Sequence, residues 1–432
     1  MANTNETRTT YADFMKYEYG PKIIETTPER SVLLQALESK TANMPWGGKS
    51  LTLPVLYGAM GSTASLGEGD AMPDSTPINI DNTVIPMYWH YMRVSVTGQA
   101  EATSQGDRAG WGSAMAKQIY VKTKAFRQQM NREACGDGNA RLCQVDGAIA
   151  SQVITVDNAG GWSGLNNSAV NGARYLSPNM YVQSRDSGGT VEDAGLLITS
   201  ISTAGAWPST SAKITVSGTC SSVDDGSFLY AAAGATASVD SYGHEMPGVK
   251  LLIDDGNIAS TVQSIDSDTY TEWKSKVHYG ATRGTAEALT TLRMMGVEND
   301  IITYGEGSTD FMITSPGVYM TYGNLCDQTA QVVNPSTYDN GWPTLSFNGR
   351  PLFQDPYITD EIFFIDTSAL ALYEAAPAGW IDTGGSVIRQ TAGASGAIDA
   401  QEACWRWYVT LGITDRQKCG KLEDITVVSN QM

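Results

Sequence analysis

The chain changes its hydrophobic period several times, and each change predicts a different element. After a polar start, Thr27-Pro28-Glu29-Arg30 leads into the apolar face of Ser31-Val32-Leu33-Leu34-Gln35-Ala36-Leu37. Thr as N-cap and Pro at the first helical position predict a short helix that ends before Pro45. From Trp46 to Val96 the period falls towards two. The runs SLTLPVLY and INIDNTVIPMYWHYMRVSV carry Leu51, Leu53 and Val55, then Val94 and Val96, in partial alternation. Between them, GAMGSTASLGEGDAMPDSTP is too polar to hold a core of its own. Gly58, Gly61, Gly67 and Gly69 give backbone freedom to a tip that also carries Glu68 and Asp70. A structureless connection of about 20 residues is uncommon inside a compact domain and marks an interaction loop. The pattern therefore predicts an extended hairpin, an arm that reaches something outside its own core.

From about Thr97 to Asn131 the period becomes helical, with Met115, Ile119, Phe126 and Met130 on one face. Lys117, Lys122, Lys124, Arg127 and Arg132 surround that stripe, and no acidic residue lies between Ser113 and Asn131. Such a helix either pairs with acidic neighbours in its own fold or turns a basic side to an anionic polymer or to another copy. Gly136-Asp137-Gly138-Asn139 ends it. The stretch from Ile149 to about Ile265 then reads as short strands, SQVITVD, NMYVQSR, GLLITSIS, AKITVSG, FLYAAA and VKLLIDD, separated by turns as in a small sandwich or barrel. A mixed region follows, with helices at TAEALTTLRMM and after Pro316, and strands at FMITS, RPLFQD and EIFFIDTSAL; ACWRWYVTLGIT and KLEDITVV close the chain as strands.

Composition narrows the function. The 432 residues are 41% hydrophobic and include ten Trp, enough for real cores, while only 17% are charged, so much of the surface is expected to meet partners. A net charge of −18 sets the whole against wrapping nucleic acid, and any such contact must be local. The six cysteines show neither CxxC nor zinc spacing and read as reduced, mostly buried thiols of a cytoplasmically made protein. The N-terminal region has no apolar signal core, and no stretch approaches the roughly 20 apolar residues of a membrane span.

Reactive constellations are weak throughout. Gly47-Gly48-Lys49-Ser50 resembles the end of a phosphate loop, but Asn43 stands where its first glycine belongs and a strand follows instead of a helix. Gly136 and Gly138 open no strand–loop–helix unit, and no serine has the nucleophile-elbow glycines. His90, His244 and His278 are isolated and read as packed or strand-edge residues. Asp266, Asp268 and Glu272 lack the glycine and the full ligand run of a calcium loop and read as a polar turn. Asp355 with Asp360 and Glu361 is a weak candidate for a two-carboxylate hydrolase, and Trp405 with Trp407 reads as a packing ridge.

Taken in order, these parts resemble the major capsid proteins of tailed viruses with the HK97 fold. The resemblance implies an α+β chain with an N-terminal arm (1–45), an extended hairpin or E-loop (46–97), and a peripheral domain with a spine helix (98–154). An inserted β-rich subdomain (155–247), an axial domain with its connections (248–390) and a return to the peripheral domain (391–432) follow. SLGEGDAMPDS is similar to that family's acidic, Gly- and Pro-containing hairpin tip; PGVYMTYGNL and SFNGRPLFQDPYITDEIFFIDTSALALYE are similar to its axial region, and CWRWYVTLGI with KLEDITVV to its return. The implied function is non-enzymatic and cofactor-free. Copies would assemble into hexamers and pentamers of an icosahedral virion capsid, formed in the host cytoplasm and enclosing double-stranded DNA held by weak, non-specific contacts. The implied partners are the chain itself, a separate scaffolding protein, a portal and a decoration protein, with no membrane. Lys49 lies at the hairpin base and not its tip, so the covalent linkage of some relatives is not implied. Two alternatives remain, an encapsulin-like cellular shell and, from another class, a carbohydrate-active or adhesive β-protein.

Overall fold

A computed structural model describes residues 32–38, 48–57, 63–75, 77–104, 114–147, 151–161, 172–203, 211–218, 220, 222–235, 239–328, 336–337, 343–382, 386–393 and 396–427. The short helix is present as α1 (Val32–Glu38), with Leu33, Leu34 and Leu37 buried, while its expected start at Thr27 and Pro28 lies outside the described residues. The hairpin follows as β1 (Ser50–Tyr57) and β2 (Asn79–Pro86), paired antiparallel from Ser50 opposite Pro86 to Tyr57 opposite Asn79. The second run, read above as one strand, is two. Pro86 has no N–H to continue a ladder, Met87 turns inward, and β3 (Tyr88–Thr97) enters a different sheet.

After α2 (Gly98–Ser104) comes the long basic helix, α3 (Ala114–Cys135), lying across β3. Its stripe packs as the period predicts. Met115 joins Val94, Val96 and Ala403, with Ile119 against them, while Met130 and Phe126 join the main core.

The β-rich block is a closed antiparallel barrel, the second of the two architectures anticipated. β4 (Cys143–Val145), β5 (Val153–Asp157), β6 (Tyr181–Arg185), β7 (Leu196–Thr203), β8 (Ala212–Ser217) and β9 (Phe228–Ala231) close in the order β4-β5-β8-β7-β6-β9. Ile154, Val156, Val182, Ile198, Ile214 and Leu229 fill it as a packed core. VKLLIDD, expected as a strand, instead holds α4 (Val249–Leu252). A short apolar run does not discriminate strand from helix, and here Gly248 lies so close to Glu133 and Gly136 of the α3 terminus that a Cβ would sit 2.3 Å from the Gly136 carbonyl oxygen.

β10 (Thr261–Val262) and β11 (Ile265–Asp266) form a tight hairpin. A seven-stranded mixed sheet is then assembled from β12 (Lys276–His278), β13 (Phe311–Thr314), β14 (Ser336–Thr337), β15 (Pro343–Phe347), β16 (Arg350–Gln354), β17 (Ile362–Ile365) and β21 (Gly420–Leu422). Its order is β12-β21-β17-β13-β16-β15-β14, with β12–β21 and β13–β16 parallel. Two helices, α5 (Thr291–Gly305) and α6 (Pro316–Gln328), cover one face through Met294, Val297, Ile301, Val318 and Tyr322. α5 starts later than TAEALTTLRMM suggests. Thr290 is its N-cap, accepting from the Arg293 N–H at 3.2 Å, and Glu287 is already bridged to Ile425. EIFFIDTSAL likewise divides at Asp366, whose carboxylate accepts from Ser368 N at 2.8 Å, into β17 and β18 (Leu370–Trp380).

The second large sheet is built on β20 (Gly396–Ile413), which takes β18 and β19 (Arg389–Gly393) along one edge and β3 along the other. Trp407 is buried here and donates from its indole N–H to Glu374 at 2.6 Å. In β21 of the first sheet, Lys421 is buried with Asp254 at 2.8 Å and Glu423 at 3.0 Å, and the buried Arg416 donates to the Leu252 and Trp273 carbonyls at 2.9 Å. No helix among the described residues is long and apolar enough to cross a membrane.

Candidate functional site

The hairpin projects from a narrow seat. Ile85 is completely buried, and it packs on Gly412, where an added Cβ would stand 2.8 Å from the Ile85 Cδ1. Burying such a side chain contributes about 1.5–3 kcal/mol. Gln263, in the β10–β11 turn, ties this seat together. Its backbone carbonyl accepts from Val84 N at 2.9 Å, while its side-chain amide donates to Ile413 O (2.7 Å) and Thr83 Oγ1 (3.2 Å) and accepts from Ile413 N (3.1 Å). The amide thus serves as a strand neighbour where β3 no longer covers β20. Gln263 and Ser264 hold positive φ, 52° and 70°, a costly conformation for two non-glycine residues that the surrounding bonds enforce.

Beyond the seat the outer face of the hairpin is open to solvent. Leu56 and Ile80 face each other across the pair on its outer face and are 66% and 63% exposed. Ile78, Met72 and Leu66 are also exposed further out. Beneath, a cleft of about 420 Å³ separates Pro54, Val55 and Leu56 from Tyr270, Trp273 and Tyr304. At the tip, Asp70 N donates to Gly67 O (3.3 Å), Gly69 takes φ 88° at the third position of that turn, and the Asp70 carboxylate folds back to accept from Gly67 N at 2.7 Å. Glu68 is exposed beside it. Gly58 and Gly61, assigned to the tip from sequence, lie outside the described residues.

The five basic positions of α3 do not form one face. Lys117 and Lys122 are exposed, with Lys122 Nζ donating to Arg93 O at 3.0 Å, and Lys124 sits over the Tyr120 ring at 4.5 Å. Arg127 pairs with Glu38 of α1 at 3.4 Å. Arg132 departs from the expectation of a basic surface: it is buried and paired with Glu245. The last turns of α3 run into the core under the chain returning from the barrel, so a cation there needs an internal partner.

That return builds a buried charge cluster. Gln129, Arg132 and Glu133 of α3, His90 of β3 and Glu245 converge, with His90 Nδ1 at 3.3 Å from Glu133 and Gln129 Nε2 at 3.1 Å from Glu133 and 3.4 Å from Glu245. Burial pushes Glu133 and Glu245 up to about 7 against the opposing pull of Arg132, and pushes His90 down to about 4. Neither this cluster nor the Gln263 tie was visible in sequence, because their members lie far apart along the chain. A glycine inside the strand run YVTLGIT was the one signal of close approach, at Gly412.

The candidate chemistry of the sequence is absorbed by structure. Asp355 accepts from Leu33 N (3.3 Å) and Asn131 Nδ2 (2.8 Å), Glu361 pairs with Lys250 at 2.9 Å, and burial together with Glu361 pushes Asp360 up to about 7. His278 holds Asp300 at 2.7 Å, while His244 is exposed on a turn. Asp266 accepts from Asp268 N at 3.1 Å within its turn, and the Trp405 ring meets Trp380 edge-on at 5.0 Å. The six cysteines are free thiols, five of them buried.

No family model matches the chain, and no curated protein matches it in sequence. Solved structures do. The chain is similar over 98% of its length to the whole (100%) of a chain in the cyanophage A-1(L) capsid asymmetric unit, at a TM-score of 0.59 and 12% identity. It also aligns with a chain from Gordonia phage Cozz (TM-score 0.49, 10% identity, 99% and 98% covered). A third alignment is with the holo encapsulin complex of Synechococcus elongatus (TM-score 0.47, 8% identity, 98% and 97% covered). The fold, carried by the first of these, is α+β and of the HK97-like capsid type.

Proposed function

We propose that this chain is a major capsid protein, a non-enzymatic subunit whose copies form hexamers and pentamers and close into an icosahedral shell around double-stranded DNA. The observation that carries the reading is the hairpin. It buries its base in its own subunit and leaves Leu56, Ile80, Ile78 and Met72 exposed beyond it, an arrangement that costs solubility unless a neighbour covers it. The fold shared with a cyanophage capsid chain over nearly the full length supports the same reading. Heterologous contacts of this kind, repeated, close rings and then shells.

In this reading Gly58, Gly61, Gly67, Glu68, Gly69 and Asp70 form the part of the arm that meets the next subunit. The exposed cations Lys117 and Lys122, with Lys124 and Arg127, offer weak salt-dependent contact to DNA or to acidic tips; Arg132 serves the interior of its own fold. The barrel is a projecting subdomain suited to a decoration protein, and scaffold and portal proteins act with the shell during assembly in the host cytoplasm. Negative-stain imaging and sedimentation of the expressed chain, alone and with a scaffolding protein, test this. Rings or closed particles are expected, and deletion of residues 58–76 should leave a folded subunit without closed shells; normal shells from the deletion would remove the hairpin as the clamp.

A further inference from the structure

The barrel and the main body keep separate apolar cores, and they meet over a polar cavity of about 40 Å³. Tyr175, on the barrel side, stacks on Tyr357 of the body with ring centroids 5.8 Å apart, and both residues line the cavity. Arg132 and Lys250 reach its wall from the body, and Arg141 from the segment that enters the barrel. Two guanidinium groups leave a donor unused there. Arg132 Nε and Arg141 Nε are both buried without a hydrogen-bond partner among the described residues. Arg132 as a whole is only 9% exposed, so bulk water does not satisfy it. An unpaired buried N–H is costly, and two of them around one cavity point to an acceptor that sits inside it.

Charge selects the acceptor. Lys250 is matched by Glu361 at 2.9 Å, and Arg132 by Glu245 with Glu133 beside it. Asp137, the other carboxylate on the wall, is turned to Asn139, accepting from its backbone N at 3.1 Å and its Nδ2 at 2.6 Å. Arg141 is left over. It lies 4.0 Å from the Phe228 ring centroid and meets the Tyr230 hydroxyl, with no carboxylate partner among the described residues. Arg174 is left over as well, exposed beside the same tyrosine pair at 6.0 Å from Tyr175 and 5.9 Å from Tyr357, and donating only to the Pro356 carbonyl. In a chain of 46 acidic and 28 basic residues, two arginines without a carboxylate at one junction call for an anion from outside the chain. A water would accept from either Nε but would not balance this charge. The guanidinium fork suits two oxygens of one oxyanion. The cavity has room for about three water molecules, the bulk of one small oxyanion and too little for a sugar–phosphate chain. We propose that the junction binds a free inorganic oxyanion of the phosphate class, taken by Arg132 and Arg141 together and bracing the barrel against the body. The site stands independently of the shell reading.

Isothermal titration of the full-length chain with inorganic phosphate, at neutral pH and constant ionic strength, tests the proposal. One saturable site per chain is expected. Arg141→Gln, which removes one of the two open Nε donors, should weaken it about tenfold or more. Lys213→Gln, which removes an exposed cation of β8 away from the cavity, should leave the affinity unchanged. Phosphate should also slow hydrogen exchange at residues 172–176 and 357–361 in the wild type and not in Arg141→Gln, a response that general charge screening does not give. Circular dichroism establishes that each variant is folded; if Arg141→Gln is not, Arg174→Gln, a surface change, decides by weakening the site several-fold or leaving it intact. No saturable binding to the wild type, equal affinity in Arg141→Gln, or an equal loss in Lys213→Gln would overturn the proposal. Displacement of phosphate by a short duplex oligonucleotide would overturn it too, by giving these arginines to DNA, and so would a phosphate-soaked particle whose cavity holds waters only.

Discussion

Stability should rise on mild acidification, and Glu245→Gln should abolish most of the part of that rise supplied by the buried cluster of Glu133, Glu245 and His90. Glu133 and Glu245 titrate near 4.5 when unfolded and at about 7 in the fold, where burial outweighs Arg132. The folded state therefore holds more protons than the unfolded chain between these values, so stability is lost as pH rises through that window and regained as it falls. From pH 8 to pH 5.5 each carboxyl contributes about 2 kcal/mol. His90 acts in the opposite sense: kept neutral by burial with a value of about 4 against 6.5 unfolded, it costs about 1.5 kcal/mol over the same range. The cluster should accordingly raise wild-type stability by about 2–3 kcal/mol for the pair acting together. In Glu245→Gln the amide oxygen still accepts from Arg132 but does not titrate, and Glu133 becomes the sole carboxylate beside that guanidinium, which lowers its proton affinity. The cluster's share of the increase should shrink to below about 1 kcal/mol. Urea denaturation of the unassembled chain, followed by tryptophan fluorescence at both pH values, measures the difference. Asp360, also pushed up to about 7, is present in both proteins and subtracts out. Parallel pH dependence in wild type and variant would refute the assignment of proton uptake to this cluster.

Lys421→Met leaves Asp254 and Glu423 without the ammonium that both contact, and should cost about 3–5 kcal/mol, read as a lower denaturation midpoint. Gln263→Ala removes the amide that satisfies Ile413 and Thr83, and should cost about 1–3 kcal/mol while speeding hydrogen exchange at residues 79–86. Unchanged exchange there would show that Ile85 on Gly412 and the Val84–Gln263 backbone bond seat the hairpin without the amide.

Local pattern was a good guide wherever an element answers to its own residues. Partial period two located β1, short runs between turn residues located the barrel strands β5 to β9, period 3.6 located α3 with Met115 and Met130 inward, and Pro316 opened α6. The order of these parts led to the HK97-like fold, and the polar, glycine-rich tip of the hairpin followed from composition alone. Short apolar runs were the weak point. VKLLIDD became helix, and the run to Val96 was cut at Pro86, because the neighbours each segment meets, and not its own period, chose between the options. The same holds for charge. Five cations along α3 look alike in sequence, yet Arg132 is enclosed with Glu245 while Lys117 stays in water, a distinction made by the chain returning from the barrel over one hundred residues later. The tie through Gln263, the close approach at Gly412 and the two open guanidinium donors at the barrel junction depend on long-range packing, since burial, pairing and exposure are properties of the assembled surfaces, whereas period and turn chemistry are properties of adjacent residues.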